Sequence, residues 1–359
     1  MPTLVAKQIR KPSLVDTLKV TGTLVKAIAA HPEGAISIFS RGNRPIGASF
    51  DIAANCNLRC QHCYLFNKDH QEEGISNEEE YLATLRRIKQ ENPSIVHVTW
   101  VGGEPMSRKR LLREAVKVFS TNWVVTNGTI PIDGEWKNTA FFISIDGTEE
   151  VHNKIRQPYR KTLTNVPQGQ ELTMATYNVY QRAKKNCQTA TAPTLVHTVI
   201  NKINKDTITD LVAEWKKDTP VRGFAFSLHT PKVDKTGASG MSENDKKLFL
   251  PDNERRTVVE MLLELKKQYG NFIIMSDEQI RDFLPERQLE VFGANCALAR
   301  GAVYSFDAKF ERKNPCVMGP GMNCGKCGCV IPTIFDRVAQ LDLATMKATL
   351  MTLPKASTK

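Results

Sequence analysis

Between Pro45 and roughly Lys232, short runs of β-branched and aromatic residues alternate with stretches whose apolar positions recur every three or four residues. The runs at 46–53, 95–100, 123–126, 141–145, 194–200 and 223–228 predict strands, because branched and aromatic side chains suit a pleated, half-buried surface. The intervening stretches predict helices. Ser76-Asn77-Glu78-Glu79 reads as a capping box opening onto Tyr81, Leu82 and Leu85, and 108–120 and 207–217 follow later strands. Repeated βα units of this kind imply an α/β fold with a parallel sheet. Six units in about 190 residues suit a curved, partly open (β/α)6 barrel better than a closed eight-fold one, with functional groups at the C-terminal strand ends.

The flanks differ. Leu14, Leu18, Val25 and Ile28 recur at helical spacing behind Lys7, Arg10, Lys11, Pro12 and Ser13, predicting an N-terminal amphipathic helix packed on the main domain. Peripheral membrane contact through residues 10–30 is the other reading of that stripe. Polar connections are expected at 157–170 and 231–252, and a further helix at 255–269. The expected organisation is an N-terminal helical segment (1–44), a partial barrel (45–232) and a Cys-rich C-terminal extension (233–359).

Composition narrows the class. Of 359 residues, 41% are hydrophobic and 24% charged, the balance of a globular protein. With no run of about 18 apolar residues and no secretory h-region at the start, a cytoplasmic location is expected. Nine cysteines in that setting argue for metal or redox chemistry rather than disulfides. The net charge of +11 is compatible with an anionic cofactor, an acidic peptide or a lipid headgroup surface. Because the basic residues are dispersed and no nucleic-acid motif is present, a nucleic-acid partner is not expected. Cys187, in a helical run at 177–188, reads as a small buried hydrophobe, and His97 and His197, inside strands, as core or supporting groups.

The segment Asp51-Ile-Ala-Ala-Asn-Cys56-Asn-Leu-Arg-Cys60-Gln-His-Cys63 sets three thiols at C-x3-C-x2-C spacing directly after the first strand. Three thiolates from one loop can hold an iron–sulfur cluster and leave one iron without a protein ligand. On spacing alone, zinc with His62 or a distant residue as fourth ligand serves equally well. Here the chain resembles the radical S-adenosylmethionine (SAM) superfamily, whose C-x3-C-x-aromatic-C loop is met with His62 in the aromatic slot. The resemblance implies a 4Fe–4S cluster on Cys56, Cys60 and Cys63. Its open iron binds the SAM amine and carboxylate, and one electron then yields methionine and a 5'-deoxyadenosyl radical. A one-electron donor of the flavodoxin or ferredoxin type is the implied partner.

Three later strand ends extend the likeness. Gly102-Gly103-Glu104-Pro105 alone is a turn signal, as are Thr126-Asn127-Gly128 and Ser144-Ile145-Asp146-Gly147. They resemble the family's GGEP, TNG and S-x-DG elements. This likeness implies a SAM-binding role for Gly102, Gly103, Glu104, Pro105, Asn127, Ser144 and Asp146, with Arg156 and Asn201 as weaker carry-overs. Glu104 would accept from the methionyl amine. The resemblance assigns no acid–base residue.

Five more cysteines crowd the tail: Cys296, Cys316, Cys324, Cys327 and Cys329. Glycines between them permit tight loops around a metal. A four-thiolate zinc site is the plain reading of Cys324-x2-Cys327. The tail also resembles the auxiliary-cluster extensions of SPASM and twitch enzymes, though its spacing departs from both. That resemblance implies one second iron–sulfur cluster, on Cys316, Cys324, Cys327 and either Cys296 or Cys329. Expected substrates are a peptide or other biosynthetic intermediate. The first alternative is an isoprenoid lipid, from a fainter likeness to the hopene adenosyl transferase group; the second is a non-catalytic iron–sulfur or zinc sensor.

Overall fold

The computed structural model describes residues 45–66, 74–159, 177–233 and 241–354. The helix expected within 1–44 lies outside them, as does most of the polar stretch 157–170. The described strands are β1 (Gly47–Ala53), β2 (Leu58–Cys60), β3 (His97–Gly102), β4 (Thr121–Thr126), β5 (Thr139–Ser144), β6 (Arg156–Pro158), β7 (Thr194–Ile200), β8 (Phe224–Leu228) and β9 (Val303–Phe306). Seven of them form one parallel sheet in the order β8-β7-β5-β4-β3-β1-β9, while β2 and β6 pair antiparallel beside it. All six expected strands are present within this α/β partial barrel. The seventh, β9, comes from the tail and was not expected: it lies against β1, where Ser49 Oγ donates to Ser305 Oγ at 2.9 Å and Phe50 stacks on Phe306 at 4.9 Å.

Side chains alternate along each strand with period two. Val98, Trp100, Val124, Phe141, Ile143, Val196, Phe224 and Phe226 enter the main core with the helices. Thr99, Trp123, Val125, Phe142, Ser144, His197, Val199, Ala225 and Ser227 line the concave side.

The helices that cover the sheet are α1 (Glu78–Glu91), α2 (Lys109–Ala115), α3 (Glu149–Ile155), α4 (Val179–Gln188) and α5 (Ile208–Asp218). The cap of α1 is Asn77, not Ser76: its Oδ1 accepts from the N–H groups of Glu79 and Glu80. Tyr81, Leu85 and Ile88 form the buried stripe behind it. Trp215 of α5 donates to the Tyr180 hydroxyl of α4 at 2.8 Å, which satisfies the one polar atom of a buried indole. Cys187 is buried in this layer, as expected of a small hydrophobe.

The extension adds α6 (Glu243–Leu248), α7 (Asp252–Tyr269), α8 (Asp277–Arg281), α9 (Gln288–Val291), α10 (Val330–Ala339) and α11 (Leu343–Thr352). The connection at 231–252 therefore contains a helix, α6, because Ser242 caps it by accepting from the Asp245 N–H. Ile331 and Ile334 of α10, with Ala348 and Met351 of α11, close the concave side against Trp123, Phe142, Leu195 and Ala225. No helix among the described residues is long and apolar enough to cross a membrane.

Candidate active site

The three thiols of the first loop are set by the backbone around them. β2 pairs with β6 so that Cys60 faces Arg156. Between Cys56 and Cys60, Arg59 lies sandwiched between Phe66 (3.9 Å) and Tyr159 (3.7 Å) and donates to the Cys56 and Leu58 carbonyls at 3.0 Å. Gly103 lets this loop approach β3: a Cβ there would stand 2.0 Å from the Asn55 carbonyl oxygen. The Gly103 N–H donates to Ala53 O and the Glu104 N–H to Asn55 O. Gly102, at φ +116, occupies a backbone region that other residues rarely adopt.

Each sulfur faces donors. The Leu58 N–H reaches Cys56 Sγ and the Phe66 N–H reaches Cys63 Sγ, both at 3.4 Å. Arg156 Nη1 lies 3.8 Å from Cys60 Sγ. Burial pushes the Cys60 thiol up to about 12 and the Cys56 thiol higher still, the latter helped by the Glu104 charge. A thiolate here therefore needs a counter-charge, which a bound metal supplies. Soft ligands, N–H donors directed at sulfur and a neighbouring cation fit an iron–sulfur cluster. Among the described residues no three His, Cys, Asp or Glu side chains crowd closely enough to grip a single metal ion.

The loop opens on a cavity of about 310 Å3 within the concave side of the sheet. Of the residues predicted from sequence, Cys56, Cys60, Cys63, Gly102, Gly103, Glu104, Asn127, Ser144, Arg156 and Cys329 line it together. Glu104 is buried. Its Oε1 accepts from the Met106 N–H (2.9 Å) and the Thr126 hydroxyl (2.6 Å), and its Oε2 from the Asn127 N–H (2.8 Å). Burial pushes its carboxyl up, opposed by these three donors. A carboxylate has about four acceptor sites, so one more donor can still be received from the cavity. Asn127 Nδ2 in turn donates to Asn57 Oδ1 at 2.8 Å, which ties β4 to the cysteine loop.

Asp146 does not line the cavity; it stands behind Arg156 and His62. Arg156 Nε donates to Asp146 Oδ2 at 2.6 Å, and His62 Nε2 lies 3.4 Å from the same oxygen. Burial alone raises the Asp146 carboxyl, but the Arg156 charge overrides it and holds the group below the usual carboxylate range. Burial drives His62 down to about 4, so the imidazole is neutral, and its Nδ1 is buried without a hydrogen-bond partner.

Besides Asp146, two more residues predicted for SAM binding do not line the cavity. Pro105 is buried at the start of a 3-10 turn. Asn201 closes a turn at the end of β7, its Oδ1 accepting from the Ile203 N–H and its Nδ2 donating to Val199 O, so its polar atoms serve the backbone.

The tail cysteines are carried to the same edge. Gly328 fits against the end of β8, where a Cβ would lie 2.3 Å from the Leu228 carbonyl oxygen; the Leu228 N–H donates to Gly328 O at 2.7 Å. The loop before it is held by the Asn323 N–H to Pro231 O and by the Val233 N–H to Gly321 O. Cys327 Sγ receives the Thr230 hydroxyl (3.7 Å) and the Cys329 N–H (3.4 Å). Burial pushes the Cys327 thiol up to about 12 and raises Cys296, Cys316 and Cys329, each also raised by neighbouring tail thiols.

Sequence reasoning missed two polar pairs around the end of β8. His197 Nε2 lies 2.9 Å from Ser227 Oγ, and His229 Nε2 lies 2.8 Å from Asp245 Oδ1; all but Asp245 line the cavity. His229 and Asp245 are 16 positions apart across a polar connection, so no periodicity marks them.

Comparison with known proteins adds context. Residues 51–212 match the radical SAM superfamily model. The sporulation killing factor maturation protein SkfB of Bacillus subtilis is 26% identical over 179 residues, covering 47% of this chain and 39% of that protein. Fe-coproporphyrin III synthase of Methanosarcina barkeri is 29% identical over 128 residues, covering 33% and 31%. The chain thus spans less than two fifths of the length of either curated relative. Among solved structures, Streptococcus suis SuiB aligns over 94% of this chain and 74% of its own when bound to SAM (TM-score 0.54, 12% identity). When bound to the precursor peptide SuiA it aligns over 96% and 74% (TM-score 0.52, 12% identity).

Proposed function

The chain carries a radical SAM domain across residues 51–212, and from that premise we propose an enzyme that cleaves SAM reductively and modifies a peptide by radical chemistry. The observation carrying this reading is the convergence of Cys56, Cys60 and Cys63 with Gly102, Gly103, Glu104 and Asn127 around one cavity. When bound, the 4Fe–4S cluster supplies an open iron for the methionyl group of SAM and the electron that breaks its sulfonium bond.

The chain's own residues do the rest. Cys56, Cys60 and Cys63 hold the metal, and the Leu58, Phe66 and Arg156 donors stabilise charge on their sulfurs. Gly102 and Gly103 let the cysteine loop pack closely against the end of β3, and Glu104 offers its remaining acceptor capacity to an amine. Asn127 holds Asn57 of the cysteine loop, Ser144 presents a hydroxyl to the cavity, and Asp146 fixes Arg156. The concave surface beyond, with Trp123, Val125, Phe142, Ile331 and Ile334, excludes water from a reactive radical.

The tail thiols are proposed to hold a second iron–sulfur cluster. Supporting a peptide substrate are the resemblance to SkfB, a maturation protein, and the shared fold, over 96% of this chain and 74% of the other, with a structure solved with a precursor peptide. The apolar concave surface also favours the second reading, an isoprenoid-type lipid. A flavodoxin- or ferredoxin-type protein would deliver the electron.

The test is anaerobic reconstitution with iron and sulfide, reduction with dithionite and measurement of 5'-deoxyadenosine from SAM. Product above a Cys60→Ala control is expected. Its absence refutes the enzyme reading and leaves a binding module. Iron and sulfide retained in a Cys56/Cys60/Cys63→Ala variant test the tail cluster.

A further inference from the structure

Arg255, in the first turn of α7, is buried at 2% exposure, yet no carboxylate among the described residues lies within ion-pair distance of its guanidinium. Asp252, one turn away, is 57% exposed and lies 3.5 Å from Lys326 instead. Arg255 Nη2 donates at 2.6 Å to the carbonyl of Cys327, and Gln288 Nε2 of α9 donates to the same oxygen at 2.7 Å. Arg255 Nε and Gln288 Oε1 are buried without partners. A guanidinium stays charged in a protein, and an unpaired buried charge is strongly disfavoured unless an opposite charge faces it. The residue it holds, Cys327, belongs to the five-thiol group of the tail. Thiolates around an iron–sulfur core outweigh its positive charge, so an occupied centre there is a net anion.

We infer that Arg255 is the counter-ion of the tail iron–sulfur cluster, a positioning residue that acts through Cys327 and raises the cluster's reduction potential. This rests on the tail cluster proposed above. Reduction adds an electron to an already negative centre, and a fixed cation behind one ligand favours that state; net charge and hydrogen bonding around the sulfurs are what set such potentials. Gln288 bonds the same carbonyl without charge and provides the internal comparison.

The experiment uses the full-length Cys56/Cys60/Cys63→Ala chain, so that only the tail centre is observed, with redox titration followed by electron paramagnetic resonance. In this background Arg255→Gln, which keeps a donor but not the charge, is expected to shift the one-electron equilibrium tenfold toward the oxidised form, a potential about 59 mV more negative. Arg255→Lys and Gln288→Leu are expected to stay near the parent. A parent-like potential in Arg255→Gln, or an equal shift in Gln288→Leu or Arg255→Lys, overturns the inference. Iron and sulfide absent from the parent, or zinc in their place, overturns the tail-cluster reading itself and the inference with it. If Arg255→Gln fails to fold, Arg255→Met in the same assay stands in, with the same two outcomes. If neither charge-free variant folds while Gln288→Leu does, the decision passes to Arg255→Lys: a parent-like potential supports the inference and a tenfold shift overturns it.

Discussion

Arg156 stands opposite Cys60 in the β2–β6 ladder, and its guanidinium reaches the Cys60 sulfur at 3.8 Å while its Nε holds Asp146 at 2.6 Å. One buried cation is thus shared between a thiol of the first loop and a carboxylate at the end of β5. Arg156→Met leaves Asp146 buried beside a neutral imidazole, and removing one partner of such a pair typically costs about 3–5 kcal/mol. A lower urea midpoint of the apoprotein is expected, with a smaller loss in Arg156→Lys, which keeps the charge but not the fork. Equal midpoints in all three proteins would contradict the pairing.

Two glycines separate the two thiol groups experimentally. Gly103→Ala drives a methyl into the Asn55 carbonyl at the root of the first loop, whereas Gly328→Ala drives one into Leu228 at the root of the tail loop. After reconstitution, the first variant should lose iron from the first site and its 5'-deoxyadenosine formation. The second should lose tail iron and keep SAM cleavage. Gly270→Ala meets nothing within 4 Å and carries only the backbone strain of a glycine-favouring conformation (φ +57, ψ −124), about 1–3 kcal/mol, with iron content unchanged. A Gly103→Ala protein with full iron at both sites would refute the close-approach argument.

Glu104 receives three donors, the Met106 N–H, the Thr126 hydroxyl and the Asn127 N–H. Glu104→Gln turns one acceptor oxygen into an NH2 group against those donors and removes the charge offered to an amine. SAM affinity of the reconstituted protein, measured by equilibrium dialysis, should fall at least about tenfold, or 1.4 kcal/mol. Unchanged affinity would remove Glu104 from the SAM site.

Acid stability should report on His152, which is fully buried; its Nδ1 accepts from the Asp146 N–H at 3.1 Å, and burial drives it down to about 3. Below about pH 6.5 the unfolded chain takes up a proton that the folded chain refuses. The contribution of His152 is therefore intact above pH 6.5 and is lost as pH falls toward 3, with a slope approaching about 1.4 kcal/mol per pH unit. Urea unfolding of the apoprotein between pH 7 and 5 should show a shallower dependence in His152→Gln than in the parent. His62, His97 and His197 remain in both proteins and cancel from the difference. Parallel pH dependences would show that His152 does not resist protonation.

Much of the barrel was legible because its strands are continuous branched and aromatic runs buried on both faces, a signal that needs no partner to be read. Val303–Phe306 escaped because four residues beside a glycine- and cysteine-rich tract look like loop until β1 pairs with them. The helix Glu243–Leu248 escaped for a similar reason: its sequence is polar, and only the Ser242 cap and the packing of Leu248 make it helical. At the site, the cysteine loop and the GGEP element were visible because they are contiguous in sequence and resemble family elements in order; spacing by itself left zinc and a plain turn open. Asn201 shows why a strand-end polar residue is ambiguous in sequence: it serves the backbone as readily as a ligand, and only hydrogen-bond partners distinguish the two. The His229–Asp245 and Arg255–Cys327 contacts join distant segments and have no one-dimensional trace.

The neighbour of β1 has a consequence for biosynthesis. Ser49 and Ser305 touch, yet 256 positions separate them. At ribosomal rates of roughly 5–20 residues per second, the strand that presents Cys56 waits about 13–51 s for its second flank to emerge. Until then that strand is a sheet margin open to incorrect pairing, and its thiols hang from an unfinished wall. The cysteine loop that follows β1 therefore reaches its final setting only after Val303–Phe306 has been synthesised and has paired with that strand.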